Sequence, residues 1–322
     1  MRFRRKCQQE KHLRQDAAPL TRNLNRDHHR TMDELVIPVP PIEGNLLVVG
    51  ARTLVGRRLR EMAPDAAYTS RKAQVGNSLF LDLDQPDDFL PETPFGQVII
   101  CTPIWLVGDA MLQRLLELGM RRLVVFSSTS IFTKDESDEP AEREVAQNLL
   151  AGEKRVTDFC QATGVAATLL RPTLIYDEGD DENVSRIKSL IDKLGFFPVC
   201  GTAKGLRQPV HARDLARAAL QVLNASATYG KSYNLSGGDS LTYRAMVERV
   251  FIAMGRRPTI IALPQWLWRL AFGILAIIMP GRALKQNLSM ALRMNRDLWF
   301  DLGPANHDFG YSPGPFKPEF TR

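Results

Sequence analysis

The stretch LLVVGARTLVGRRLR, residues 46–60, opens on four consecutive apolar residues, carries Gly50 and Gly56 six positions apart, and closes on a helix-like spacing of apolar and basic residues. An uninterrupted apolar strand belongs in a sheet covered on both faces, which in practice means parallel strands with helices packed above and below. Gly50 permits the tight turn at the strand end, and Gly56 lets the following helix approach the sheet closely. The helix N-terminus then presents unpaired N–H groups to a phosphate. The stretch therefore predicts a β-α unit with an anion cradle at its mouth.

The rest of the chain repeats that alternation. Strands are predicted at 46–49, 65–69, 79–82, 97–101, 122–127 and 166–171, with helices over 53–62, 105–119 and 141–163 between them. The order gives a doubly wound parallel sheet. Beyond Pro172, turn-rich pieces such as EGDDEN and SGGDS predict a smaller lobe, drawn mainly from 176–208 and 229–322. No internal repeat is present. The domain expected is 43–322, preceded by a basic, disordered extension and linker over 1–42.

That extension accounts for the net charge. Residues 1–31 contain nine Lys/Arg against three acidic residues, which is the entire formal excess of +6, so the body is electrically balanced. A specific nucleic-acid partner has no support beyond the tail, and translation is expected to start at Met32, where ordered sequence begins. The tail has no apolar run of signal-peptide length, and the four cysteines stand apart without metal-site spacing, so a cytoplasmic protein with reduced thiols is expected. Residues 262–280 are the most apolar part, but their longest uninterrupted run is ten residues, about half of a membrane span. A helix packed under the lobe is expected there, with a surface-lying anchor near Trp266, Trp268 and Arg269 as the alternative. A homodimer is left open.

The glycine turn GARTLVG resembles the G-x-x-G-x-x-G of the short-chain dehydrogenase/reductase superfamily, in its extended epimerase/dehydratase branch, with Thr53 at the central glycine. Further landmarks follow in the family's order: YTSRK, LDLD, IICTP, FSSTSIF, LLRPTLIY and GLRQPVHARDLARA. The resemblance implies a Rossmann-type sheet with a C-terminal substrate lobe. It implies cofactor contacts at Gly50, Arg52, Thr53, Leu54, Val55 and Gly56, at Asp82 and Leu83 beside the adenine, at Thr102 and Pro103, and at Pro172 and Thr173 near the nicotinamide. The Thr53 hydroxyl is expected to donate to phosphate. Arg71 and Lys72 stand where an acidic residue would take the ribose of NAD; guanidinium pairs well with phosphate, so NADP is expected, with NAD second.

For chemistry, the resemblance puts Ser128 in the substrate-orienting place. The family's Tyr-x-x-x-Lys is a pair one helical turn apart in which the ammonium lowers the phenol's pKa. It is matched to LLAGEK, giving Lys154 for the lysine and Leu150 for the tyrosine. Leucine exchanges no proton. Arg207 is nominated as a clamp for the diphosphate of a nucleotide-sugar, Tyr176 as a further substrate contact, and His211 with Asp214 as structural. Two functions follow: an NAD(P)-dependent epimerase, dehydratase or keto-reductase of a nucleotide-linked sugar, favoured by Ser128, Lys154 and Arg207, or a non-catalytic NADP(H)-binding sensor or assembly protein, favoured by Leu150. A membrane-associated scaffold is a third.

Overall fold

Apolar runs become the strands of one parallel sheet in the computed structural model, which describes residues 44–71, 78–177, 179–270 and 290–320, all within one unit, Val39–Arg322. The first six strands are β1 (Leu46–Val49), β2 (Ala67–Ser70), β3 (Leu79–Phe80), β4 (Gln97–Ile100), β5 (Arg122–Phe126) and β6 (Ala166–Pro172). Short strands β7 (Ile175–Tyr176), β8 (Phe197–Cys200), β9 (Leu206–Arg207) and β10 (Val210–His211) follow, then β11 (Lys231–Leu235), β12 (Leu241–Thr242) and β13 (Ile260–Leu263). The main sheet runs β11-β6-β5-β4-β1-β2-β3, with every pairing parallel. Strand order reverses between β1 and β4, which opens a crevice at the C-terminal ends of those strands.

Helices α1 (Leu54–Met62), α2 (Asp109–Glu117), α3 (Ser130–Thr133), α4 (Pro140–Thr163), α5 (Val184–Leu194), α6 (Ala212–Leu223), α7 (Tyr243–Ala253) and α8 (Gly303–Phe309) complete the layers. On one face α1 and α6 bury Val55, Leu59, Leu215 and Val222 against Val48, Ile99 and Val124. On the other, α2 and α4 bury Met111, Leu115, Leu149 and Val156 against Leu47, Ile100 and Val125. The lobe has its own core, in which Ile187 and Ile191 of α5 meet Val247 and Phe251 of α7. Two pieces expected in the lobe belong to the main layers instead. Strand β11 pairs along β6, and α8 docks on β11 through Asp308, which accepts hydrogen bonds from Lys231 (3.0 Å) and Tyr233 (2.6 Å).

A fully buried arginine closes the sheet's far end. The Arg122 guanidinium donates to the carbonyls of Ala166 (2.8 Å) and Val222 (2.8 Å) and to the hydroxyls of Thr168 (2.9 Å) and Thr228 (3.1 Å), and lies over the Tyr229 ring at 4.6 Å. Among the described residues no carboxylate pairs with it; the C-terminal carbonyls of α6, at the negative end of that helix, do part of that work. Burial pushes its pKa down to about 10.

Among the described residues no helix is long and apolar enough to cross a membrane, and Cys101, Cys160 and Cys200 are free thiols. Of the apolar stretch 262–280, residues 271–280 lie outside the described residues, as do 1–43 and the notional start at Met32. Trp266 is exposed, whereas Trp268 turns inward and donates its indole N–H to the Val199 carbonyl at 3.3 Å.

Candidate functional site

The glycine turn between β1 and α1 is built as its spacing demands. Gly50 sits at φ +99°, and a Cβ there would meet Thr102 Cγ2 at 2.9 Å. At Gly56 a Cβ would fall 2.2 Å from the Gly50 carbonyl oxygen, so the helix can approach the strand end only because no side chain exists there. Thr53 caps α1: its hydroxyl accepts from the Gly56 N–H (3.0 Å) and donates to the Gly50 carbonyl (2.9 Å). The expectation that Thr53 gives its proton to a phosphate is thereby corrected, because Gly50 takes that proton. The turn still offers N–H groups at Leu54 and Val55, which start the helix and have no acceptor four residues back.

A continuous cleft runs over this turn along the C-terminal sheet edge. Its narrower part, about 680 Å³, is lined by Gly50, Arg52 and Thr53, by Thr69–Arg71 at the end of β2, by Asp82 and Leu83, and by Thr102 and Pro103. Its wider part, about 1000 Å³, shares Arg52, Thr53 and Pro103 and continues past Leu54, Val55, Ser128 and Thr173 to Arg186, Arg207 and Arg293 of the lobe. Thr102 Oγ1 is buried there without a hydrogen-bond partner. Residue 72 lies outside the described residues, so of the Arg71–Lys72 pair only Arg71 is placed.

Other nominated residues separate into those on the cleft and those behind it. Ser128 lines the wide part, and its hydroxyl accepts from the Ser130 N–H at 3.1 Å. Thr173 lines it too, though its hydroxyl is already given to the Gln208 carbonyl. Pro172 ends β6 inside the sheet and does not reach the cleft lining. Tyr176 is a correction: it is buried in the lobe core between His211 and Phe316, with ring centroids 4.9 Å from each, and its hydroxyl accepts from the Lys317 N–H. Arg207 reaches the cleft as a latch more than a free clamp, because it donates to the carbonyls of Leu206 (2.7 Å), Arg293 (2.7 Å) and Arg296 (2.8 Å) and stacks on Tyr243. Burial lowers its pKa to about 10. His211 caps α6 by accepting from the Arg213 N–H, with its Nε2 3.7 Å from Asp177.

The largest correction concerns α4. Lys154 is 76% exposed, pairs with Asp158 at 2.6 Å one turn further on, and lines none of the cleft. Leu150 is likewise exposed. The α4 residues turned toward Ser128 are Val145 and Leu149, four apart, which line a slot of about 290 Å³ with Pro103, Ile104, Trp105, Phe126, Ser127, Ser128 and Ser130. This pair lies five residues before the Leu150–Lys154 pair expected from the resemblance. One turn beyond Leu149, Glu153 accepts a two-pronged bond from Arg171 of β6 (2.8 and 2.6 Å), which fixes the helix's rotation. The two α4 residues that share this slot with Ser128 are thus aliphatic. Lys134, missed in the sequence because no motif contains it, lines the wide part and is half-buried; burial lowers its pKa, opposed by Glu142.

Residues 105–236 match the family described as NAD dependent epimerase/dehydratase. The match spans 132 of the 322 residues, so the likeness to that family is carried by this segment. No curated protein matches the sequence. Solved structures agree on the fold: gox2253 aligns at 16% identity over 85% of this chain and 94% of its own, TM-score 0.65. A UDP-glucose 4-epimerase of Thermotoga maritima, solved with UDP-glucose, aligns at 14% identity over 84% and 93%, TM-score 0.62. MoeE5, solved with UDP-glucose and NAD, aligns at 17% identity over 85% and 94%, TM-score 0.62. Such identities establish the architecture alone.

The matched segment begins at Trp105, after the glycine turn, and contains Ser128, Val145, Leu149 and Arg207. A dinucleotide fits the cleft unevenly. The first half has the turn, Arg71, Asp82 and the unpartnered Thr102 hydroxyl; the second has hydroxyls of serine against an aliphatic wall.

Proposed function

We propose that this chain holds NADP(H) along the cleft, with NAD(H) second, and a nucleotide-linked sugar or related diphosphate in the wide part, as a binding protein without tyrosine-dependent hydride chemistry. The observation that carries this reading is the aliphatic pair Val145 and Leu149 on the face of α4 turned to Ser128. Neither side chain can deliver or take a proton, and general acid/base catalysis needs a titratable group within hydrogen-bond reach of the reacting atom. Arg71 and Arg52 on the narrow part support the phosphorylated dinucleotide, because guanidinium pairs with phosphate through two parallel bonds. The relatives solved with UDP-glucose support the nucleotide-sugar.

Calorimetry with NADPH and NADH tests the first part: micromolar NADPH binding is expected, with the preference over NADH lost in Arg71→Ala, and absence of heat with both dinucleotides would sink it. The second part is tested by incubation with NADP, NAD and a panel of nucleotide-sugars. No change in absorbance at the reduced-nicotinamide band and no product are expected. A second reading, an enzyme with a displaced proton donor, draws on Ser128 and Lys134, which both line the wide part, and on the lowered pKa of Lys134, which favours proton exchange. Turnover that is lost in Lys134→Gln would select it.

A further inference from the structure

Resting on the dinucleotide reading above, the uneven cleft carries a more specific conclusion about its ligand. Among the described residues, the narrow part supplies donors and walls suited to one nucleoside diphosphate. Arg71 and Arg52 are exposed and line it; Asp82 and Leu83 form its outer wall; the turn supplies backbone donors; and the buried Thr102 hydroxyl lacks a partner. Past the turn, the second nucleoside of a dinucleotide must follow the sheet edge toward β5 and β6. The wall it meets beside Ser128 is Pro103, Ile104, Trp105, Phe126, Val145 and Leu149. Among the described residues no charged side chain lines that slot.

The cations of the wide part do not substitute for one. Arg57 is paired with Asp180 at 2.6 Å, Arg293 with Glu142, and Arg207 with three carbonyls. Lys134 and Arg186 line the wide part only, outside the slot. An ammonium donating to ribose hydroxyls makes the stronger, charge-assisted kind of hydrogen bond, and a leucine in its place forfeits those bonds. Serine hydroxyls remain, but each such neutral bond is exchanged for one with water and adds little net affinity.

We propose that the cleft recognises the adenine-nucleotide half of its ligand and is nearly indifferent to the nicotinamide half, so that adenosine diphosphates lacking the nicotinamide riboside are ligands in their own right. Free adenine nucleotide and dinucleotide would then compete for one site.

Calorimetry on the full chain with NADPH, 2′-phospho-ADP-ribose and 2′-phospho-ADP, and in parallel with NADH and ADP, tests this. Dissociation constants within about threefold inside each series are expected. In the same titration the reduced nicotinamide should keep its free-solution emission, because the ring is not held. Leu149→Lys should tighten NADPH selectively, by about tenfold, while leaving 2′-phospho-ADP unchanged. Wild-type NADPH binding tenfold or more tighter than 2′-phospho-ADP, or a bound-state shift in nicotinamide emission, overturns the proposal while leaving the dinucleotide reading intact. Failure of every compound to bind overturns both.

Discussion

The two ends of the cleft differ in how they are held. At the β2 side the cradle is made of backbone: Gly50 and Gly56 are positions where any side chain collides, and Thr53 spends both hydroxyl roles on the turn itself. At the β5 side the wall is made of side chains on α4, whose rotation is set from behind by the Glu153–Arg171 pair. Backbone geometry tolerates no substitution but needs no particular chemistry, whereas a side-chain wall can keep its shape while its chemistry changes. That contrast explains how the fold and the turn coexist with an aliphatic pair on the α4 face beside Ser128.

Breaking the β5 end from behind should have the largest effect. Glu153→Ala leaves the Arg171 guanidinium, 15% exposed, without its counter-charge, and removal of one member of a buried pair costs about 3–5 kcal/mol. Urea unfolding should show that loss, with Glu153→Gln losing less because its amide oxygen still accepts one bond. At the other end, Gly56→Ala forces a methyl against the Gly50 carbonyl and should cost about 2–3 kcal/mol by the overpacking rule, together with calorimetric binding of NADPH. If Gly56→Ala binds normally, the cradle is more pliant than the contrast allows.

The smallest effect concerns the back of α1, where Arg58 donates to buried Asp177 and His211 approaches the same carboxylate. Burial lowers the His211 pKa, and Asp177 only partly opposes this. The folded value lies below the unfolded one, so the contribution is complete above about pH 6.5 and is lost as pH falls below it. Wild-type Tm should decline by about a degree or two from this group between pH 7 and 5. His211→Asn, which keeps a capping oxygen, should flatten that slope.

The sheet was legible because its signals are local. The run at 46–49 and those at 97–101, 122–127 and 166–171 are apolar on consecutive residues, and each became a strand within one residue of the expected bounds. The glycine turn was legible for the same reason, since its seven positions are contiguous. The rotation of α4 was not, because a motif can be slid along a helix while the face it presents is decided by packing. Five residues at about 100° each put Lys154 about 140° around from Leu149. A signal existed: Val145, Leu149, Val156 and Cys160 recur at spacings of four and seven and mark the inward face, leaving Lys154 outside it. The surroundings of Arg207 and Tyr176 were hidden for another reason. Their partners lie far off in sequence, the carbonyls of 293 and 296 at 86 and 89 residues from Arg207 and the ring of Phe316 at 140 from Tyr176, and leave no local trace.

Arg122 has a consequence for how the chain reaches its final state. Its donors are shared among β6, the end of α6 and the turn at Thr228, so an assembly missing any one of them would strand a cation in an apolar interior. Half-built sheets are thereby penalised, and the segments before and after residue 200 are made to fold as one cooperative body, with a single guanidinium acting as the assembly check.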